Sequence, residues 1–410
     1  MFREIDPNMT STAYNFAPPY QTPRGSAIRE LAKLAADPSV ISFAGGYPAA
    51  ESFDLPGLRQ AADAAWEANP QQCMQYGATE GLHELRDVLL DLSERRDIGA
   101  NPDELLVTTG SQQAFDFLLR SNVVPGDTVL VENPTYPGAL AALRLAGANV
   151  IGIDGDTNGI DADAVERVLS TLPDKPKMLY VVANFANPTG ATLTRERRIK
   201  LLELAAQHQF LLVEDDPYGA LRFAGETVPP MRALASEVPS SEHWSVYLST
   251  LSKVVTPGIR IGWLVAPAAV TRRCVMAKQV SDMCSSPWNQ AIAYEYLSSS
   301  RFASNLPGSI EIYRLRANAL SDSLHKAFGD KLSFAKPEGG MFLWANFLGK
   351  LDMQKLFDNA VTEQVLFIPG SQCYFDTRAS NSLRLSYATS SPEAMQEGVA
   401  RLHRAYIKTV

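Results

Sequence analysis

Apolar positions along this chain follow two rhythms, and their succession predicts an α/β architecture. Between about residues 100 and 270, short apolar runs alternate with stretches of helical spacing. That is the signature of a mostly parallel sheet covered by helices on both faces. The runs predicted as strands are 105–108, 128–132, 149–153, 178–182, 210–213, 245–248 and 261–265, a seven-stranded sheet. A helical stretch over about 270–328 follows. Beyond it, strands at 342–346, 365–368 and 383–387 and helices at 353–364 and 392–407 predict a smaller α+β domain. Ahead of the sheet, residues 1–25 are polar and hold Pro7, Pro18, Pro19 and Pro23, which suits an extended arm. A helical pattern over 27–36 and the turn-rich Gly45-Gly46-Tyr47-Pro48 come next. The expected division is 1–45 for the arm and its helix, 46–290 for the large domain and 291–410 for the small C-terminal domain.

Length and composition narrow the function. At 410 residues the chain exceeds what one core usually serves. Hydrophobic residues at 46% and charged residues at 20% describe a globular protein. A net charge of -8 argues against a sequence-independent grip on nucleic acid. Cys73, Cys274, Cys284 and Cys373 show neither paired spacing nor a histidine at ligand spacing, so neither a metal nor a disulfide framework is expected. The N-terminus lacks the apolar stretch of a signal peptide, and no apolar run approaches membrane-spanning length. The expected location is cytoplasmic.

Ligands of open α/β sheets bind beyond the carboxyl ends of the strands, so the strand-end residues carry the chemical argument. Lys253, in Ser249-Thr250-Leu251-Ser252-Lys253 with Arg260 downstream, offers an amine for an aldehyde cofactor among groups suited to its phosphate. Taken alone, it could equally be a surface lysine after a buried strand. Ser111 and Gln112 open the helix after the first strand, where an anion fits and an ordinary cap would fit too. Tyr136 stands in a rigid Pro-containing turn able to hold a ring flat against a cofactor. The Asn187 amide could donate to a phenolate oxygen, although Asn-Pro is also a turn former. Glu214-Asp215-Asp216 ends another strand, where a protonated pyridine nitrogen would supply the missing positive charge. The residues alone do not choose between Asp215 and Asp216.

Each signal is weak alone, but they occur in order on successive strand ends and address different parts of one molecule, pyridoxal 5'-phosphate. In that order of motifs the chain resembles the fold-type I pyridoxal phosphate aminotransferases of class I/II, most of all the group that includes 2-aminoadipate and kynurenine aminotransferases. The likeness runs from Ile28-Arg29 to Leu383-Arg384-Leu385-Ser386.

The resemblance implies that Lys253 forms the imine with the cofactor, that Asp215 pairs with its ring nitrogen and that Tyr218 reaches its phenolic oxygen. It implies phosphate contacts from Ser111, Gln112, Thr250, Ser252 and Arg260, ring stacking by Tyr136 and a phenolic-oxygen contact from Asn187, beside the substrate. It assigns the substrate α-carboxylate to Arg384, with Arg29 and Gly46 near the substrate. Read without the family, Arg384 is the polar face of an alternating strand and would be exposed. Tyr76 resembles a tyrosine that crosses to a neighbouring subunit's phosphate, so a homodimer is expected. Alanines in Val182-Ala183-Asn184-Phe185-Ala186-Asn187 replace Pro and Gln of many relatives, which touches fine positioning and leaves Asn187 intact. The expected reaction moves an amino group from an amino acid to a 2-oxo acid, with Lys253 as a free amine of lowered pKa moving the proton. Two rivals are β-lyase, decarboxylase or cyclopropane-forming chemistry on the same scaffold, and a non-catalytic ligand-sensing domain. The segment before Gly45 is shorter than the winged-helix module such sensors carry, so the catalytic reading is the one expected.

Overall fold

The computed structural model describes residues 14–21, 31 and 33–410. Most of the arm over 1–25 and half of the helix over 27–36 therefore lie outside the described residues, and Arg29 lies wholly outside them. β1 (Ile41–Ser42) leads into the sheet domain. There β2 (Leu105–Thr108), β3 (Thr128–Asn133), β4 (Asn149–Asp156), β5 (Gly159–Ile160), β6 (Met178–Val182), β7 (Leu211–Asp215), β8 (Ser245–Thr250) and β9 (Gly262–Val265) form one sheet in the order β2-β9-β8-β7-β6-β3-β4-β5. The strands β4, β3, β6, β7 and β8 run parallel, whereas β9 is antiparallel to both of its neighbours.

Side chains alternate across the sheet into different apolar clusters. Met178, Tyr180 and Val182 of β6 enter one cluster with Phe115 and Leu118, and Leu179 and Val181 enter another with Val165 and Leu201. The helices Ser111–Asn122 and Ala162–Thr171 thus cover opposite faces, which is why the strands read as continuous apolar runs. Since β9 is antiparallel to both β2 and β8, the carboxyl ends of β2, β3, β6, β7 and β8 open on one edge. The start of β9 returns Arg260 to that edge.

All seven expected strands are present, and the eighth is the two-residue β5. It pairs with the end of β4 in a hairpin too short for a periodic signal. The strand expected at 210–213 extends to Asp215, because Glu214 and Asp215 stay paired to β6 and β8. The helical stretch expected over 270–328 is made of three helices, Ala268–Gln279, Pro287–Ser298 and Ser300–Phe328. Pro287, with no N–H to give, starts the second of them under a Ser286 cap.

In the C-terminal part, β10 (Leu332–Phe334), β11 (Phe342–Phe347), β12 (Val365–Leu366), β13 (Ile368–Pro369) and β14 (Ser382–Ser386) appear. The order β10-β11-β14-β13 makes an antiparallel sheet, backed by the helices Met353–Thr362 and Pro392–Ile407. The single strand expected at 365–368 is split, because β12 pairs with β1 and β13 with β14.

Candidate active site

Between the sheet edge and β14 lies a cavity of about 320 Å³. Gly46, Ser111, Gln112, Tyr136, Asn187, Asp215, Tyr218, Thr250, Ser252, Lys253, Arg260 and Arg384 all line it. Tyr76 does not, being 76% exposed on the surface. A larger cleft of about 800 Å³ lies between the 154–160 hairpin and β11, but it contains neither Lys253 nor Asp215. We therefore place the chemistry in the smaller cavity.

One end of the cavity is built for an anion. Gly110 precedes the helix Ser111–Asn122 with φ +85, a conformation that disfavours a side chain, and a Cβ there would meet the Arg260 guanidinium. The first-turn N–H groups lack helical acceptors, and the helix dipole points positive end outward. Arg260 donates to Ser252 Oγ at 3.2 Å and to the Thr109 carbonyl at 3.1 Å. Thr250 Oγ1 donates to the Ile261 carbonyl at 3.0 Å and accepts from Ser252 N–H at 3.1 Å. Hydroxyls, a guanidinium and a helix N-terminus therefore converge on one spot.

Three consecutive carboxylates, Glu214, Asp215 and Asp216, stand at the end of β7; each has a different partner, and of the three only Asp215 lines the cavity. Glu214 meets Arg198 at 3.3 Å and accepts from Met231 N–H at 2.7 Å. Asp216 takes Arg96 at 2.5 Å, the Asn184 amide at 2.9 Å and the Tyr247 hydroxyl at 3.1 Å. Burial would raise its pKa, but Arg96 and Asn184 outweigh that and hold it low. Asp215 faces the cavity. Its Oδ2 accepts from Tyr180 OH at 2.6 Å, and its Oδ1 is buried without a hydrogen-bond partner among the described residues. Burial lifts its pKa to about 6. A protonated pyridine nitrogen is the group this oxygen lacks, so the site fits pyridoxal phosphate end to end, and Asp215 rather than Asp216 is the residue available.

Lys253 reaches between the two ends, its Nζ donating to the Gly46 carbonyl at 3.1 Å. Its amine faces the cavity and is enclosed by protein, so burial first, then Arg260 and Arg384, lower its pKa to about 8. Arg384 is not on an exposed face: it is 2% exposed, donating to Asn187 Oδ1 at 2.7 Å and to the Ala44 carbonyl at 2.6 Å. Its guanidinium lies 4.3 Å from the centre of the Phe342 ring, and its Nε has no hydrogen-bond partner among the described residues. The small-domain strand folds back onto the large domain, which an alternating pattern does not reveal.

Sequence reasoning missed Tyr180, which orients Asp215, and also Phe115 and Phe342 in the cavity wall. The signal for Tyr180 was a phenol inside a wholly apolar strand, since a buried hydroxyl needs a partner. Among the described residues no cluster of His, Cys, Asp and Glu could hold a metal ion.

The model of the family described as aminotransferase class I and II matches residues 40–402. Aromatic-amino-acid aminotransferase 1 of Thermococcus litoralis is 37% identical over 92% of this chain and 91% of its own. The 2-aminoadipate transaminase of Thermus thermophilus is 36% identical over 93% of this chain and 94% of its own. The crystal structure of Pyrococcus horikoshii kynurenine aminotransferase, a complex with PMP, superposes with a TM-score of 0.91 at 34% identity, covering 96% of this chain and 97% of that one. By sequence, fold and the chemistry of its cavity, this chain belongs to the class I and II aminotransferases, fold-type I transferases whose cofactor is pyridoxal 5'-phosphate.

Proposed function

We propose that this aminotransferase takes aromatic amino acids and 2-aminoadipate as donors and a 2-oxo acid such as 2-oxoglutarate as acceptor. The relatives named for aromatic and aminoadipate substrates support that choice, as do the Phe342 and Tyr47 rings beside the cavity. Bound pyridoxal phosphate supplies an aldehyde that condenses with amines and a protonated ring that withdraws electrons from the carbon beside the nitrogen.

The chain's own residues do the rest. Lys253 Nζ would hold the cofactor and, as a neutral amine, would be the group that takes the proton from the substrate Cα. Asp215 keeps the ring nitrogen protonated through its free Oδ1, and Tyr180 keeps Asp215 in place. Tyr136 covers the ring, while Asn187 and Tyr218 address its phenolic oxygen. Ser111, Gln112, Thr250, Ser252 and Arg260 receive the phosphate. Arg384 takes the α-carboxylate, near Gly46 and with Arg29 as a second cation. We assign Tyr76 to the phosphate of a second copy across a homodimer, and the protein to the cytoplasm, where its four free cysteines would stay reduced.

The observation that carries this reading is that the Lys253 amine and the unpartnered Asp215 oxygen line one cavity with an anion site. Borohydride reduction of the holoenzyme followed by peptide mass spectrometry should place the cofactor on Lys253. The Lys253→Ala protein should lose both that adduct and amino transfer. An adduct elsewhere, or an active alanine variant, removes the assignment. Turnover that consumes oxo acid and amino donor one for one excludes lyase and decarboxylase chemistry.

A further inference from the structure

Beneath the anion-binding turn lies a buried charge with no part in the mechanism above. Lys278, near the end of the helix Ala268–Gln279, is 0% exposed. Its Nζ donates to both oxygens of Asp282, at 2.9 and 3.0 Å, and to Ser285 Oγ at 2.9 Å. Asp282 and Ser285 stand in the connector that interrupts the helical stretch, and both turn toward Thr109. Thr109 Oγ1 meets Ser285 Oγ at 3.2 Å and Asp282 Oδ2 at 3.4 Å. Gln113 closes the circuit: its Nε2 donates to Asp282 Oδ2 at 2.8 Å, and its Oε1 accepts the Thr109 N–H at 2.7 Å. The carbonyl of the same Thr109 accepts from Arg260 at 3.1 Å.

Enclosing an ammonium is costly, and burial lowers the Lys278 pKa. Packing alone would be served by methionine. What a methionine would leave behind is an unneutralised Asp282 carboxylate, bonded to Gln113 in the first turn of a helix whose N-terminus is meant for an anion. We infer that Lys278 is a positioning residue for the cofactor: through Asp282 and Gln113 it fixes Thr109, whose N–H Gln113 accepts and whose carbonyl Arg260 holds, and it neutralises a carboxylate that would repel a phosphate there. This rests on the proposed reception of phosphate at Ser111 and Arg260.

The test is a fluorescence titration of the apoprotein with pyridoxal phosphate and, by competition, with inorganic phosphate. Lys278→Met is expected to weaken both by on the order of tenfold, the scale of losing a hydrogen bond to a charged group. Lys278→Met/Asp282→Asn should recover to within about threefold of the parent, because the stray charge has gone. A double variant no better than the single overturns the neutralising role. Should Lys278→Met not fold, Gln113→Met at its half-buried position reads the same brace and is expected to weaken both ligands. The inference fails if the folded variants bind both ligands as the parent does, or lose melting temperature alone, while Ser111→Ala weakens both. If Ser111→Ala also binds both unchanged, the turn does not hold phosphate, and this inference falls together with the phosphate assignment.

Discussion

At the scale of single residues, the site works by giving ordinary side chains extraordinary surroundings. A free lysine amine titrates near 10.4, but Lys253 is enclosed and shares its cavity with Arg260 and Arg384, which bring it to about 8. The folded apoprotein therefore binds fewer protons at Lys253 than the unfolded chain does between pH 8 and 10.5. The Lys253 contribution to its stability rises with pH across that window. The reactive consequence is sharper. Capture of pyridoxal phosphate by the apoprotein, followed by absorbance, should accelerate with pH through a midpoint near 8 and level off about one unit above it. Arg384→Gln, which removes one positive neighbour, should move the midpoint upward. A rate still climbing at pH 10 would show that the enclosure does not act on the amine. Of these residues, Lys253, Ser111 and Arg260 were legible because each follows or precedes a strand in a polar run. The roles of Asp215 and Asp216 were not, since Arg96 and Asn184, which claim Asp216, lie far from it in sequence.

Elements matter here as holders of backbone. β9 runs against its neighbours, and its first residue, Gly262, packs on the turn before the helix Ser111–Asn122. A Cβ at Gly262 would stand 2.5 Å from Gly110 C and 2.6 Å from Ser111 N. Both are main-chain atoms that cannot swing aside. Gly262→Ala should therefore displace the phosphate turn, costing about 1–3 kcal/mol of stability and weakening pyridoxal phosphate binding together with it. Chemical denaturation and cofactor titration on the same preparation check this. An alanine variant with the parent's affinity would mean that the turn gives way freely. The apolar run that became β9 was plain in the sequence, but its direction was not, because a strand buried on both faces reads alike either way. The break at 280–286 had a local signal, since Val280, Ser281, Asp282 and Cys284 are weak helix formers, but the bonds of Asp282 and Ser285 to Lys278 and Thr109 across it were not legible.

For the whole molecule, three exposed apolar side chains around one group of helices are not accounted for by the cavity. The helices Leu55–Ala68 and Pro70–Met74 pack on Pro287–Ser298 and leave Trp66, Met74 and Tyr76 exposed, with Trp66 edge-on to Trp288 at 6.0 Å. Grouped exposure of that kind marks a protein-binding face, and the proposed homodimer would cover it. Tyr76 then belongs to the other copy's phosphate site, an arrangement that subunit mixing tests directly. Tyr76→Phe homodimers should bind pyridoxal phosphate on the order of tenfold more weakly, one charge-assisted hydrogen bond being lost. In a mixed dimer with Lys253→Ala subunits, the intact Lys253 of the first chain sits opposite the intact Tyr76 of the second. One site per mixed dimer should regain the parent's affinity and turnover, while the other stays dead. If Tyr76 served its own subunit, mixing would restore nothing, because every site with a lysine would still lack its tyrosine.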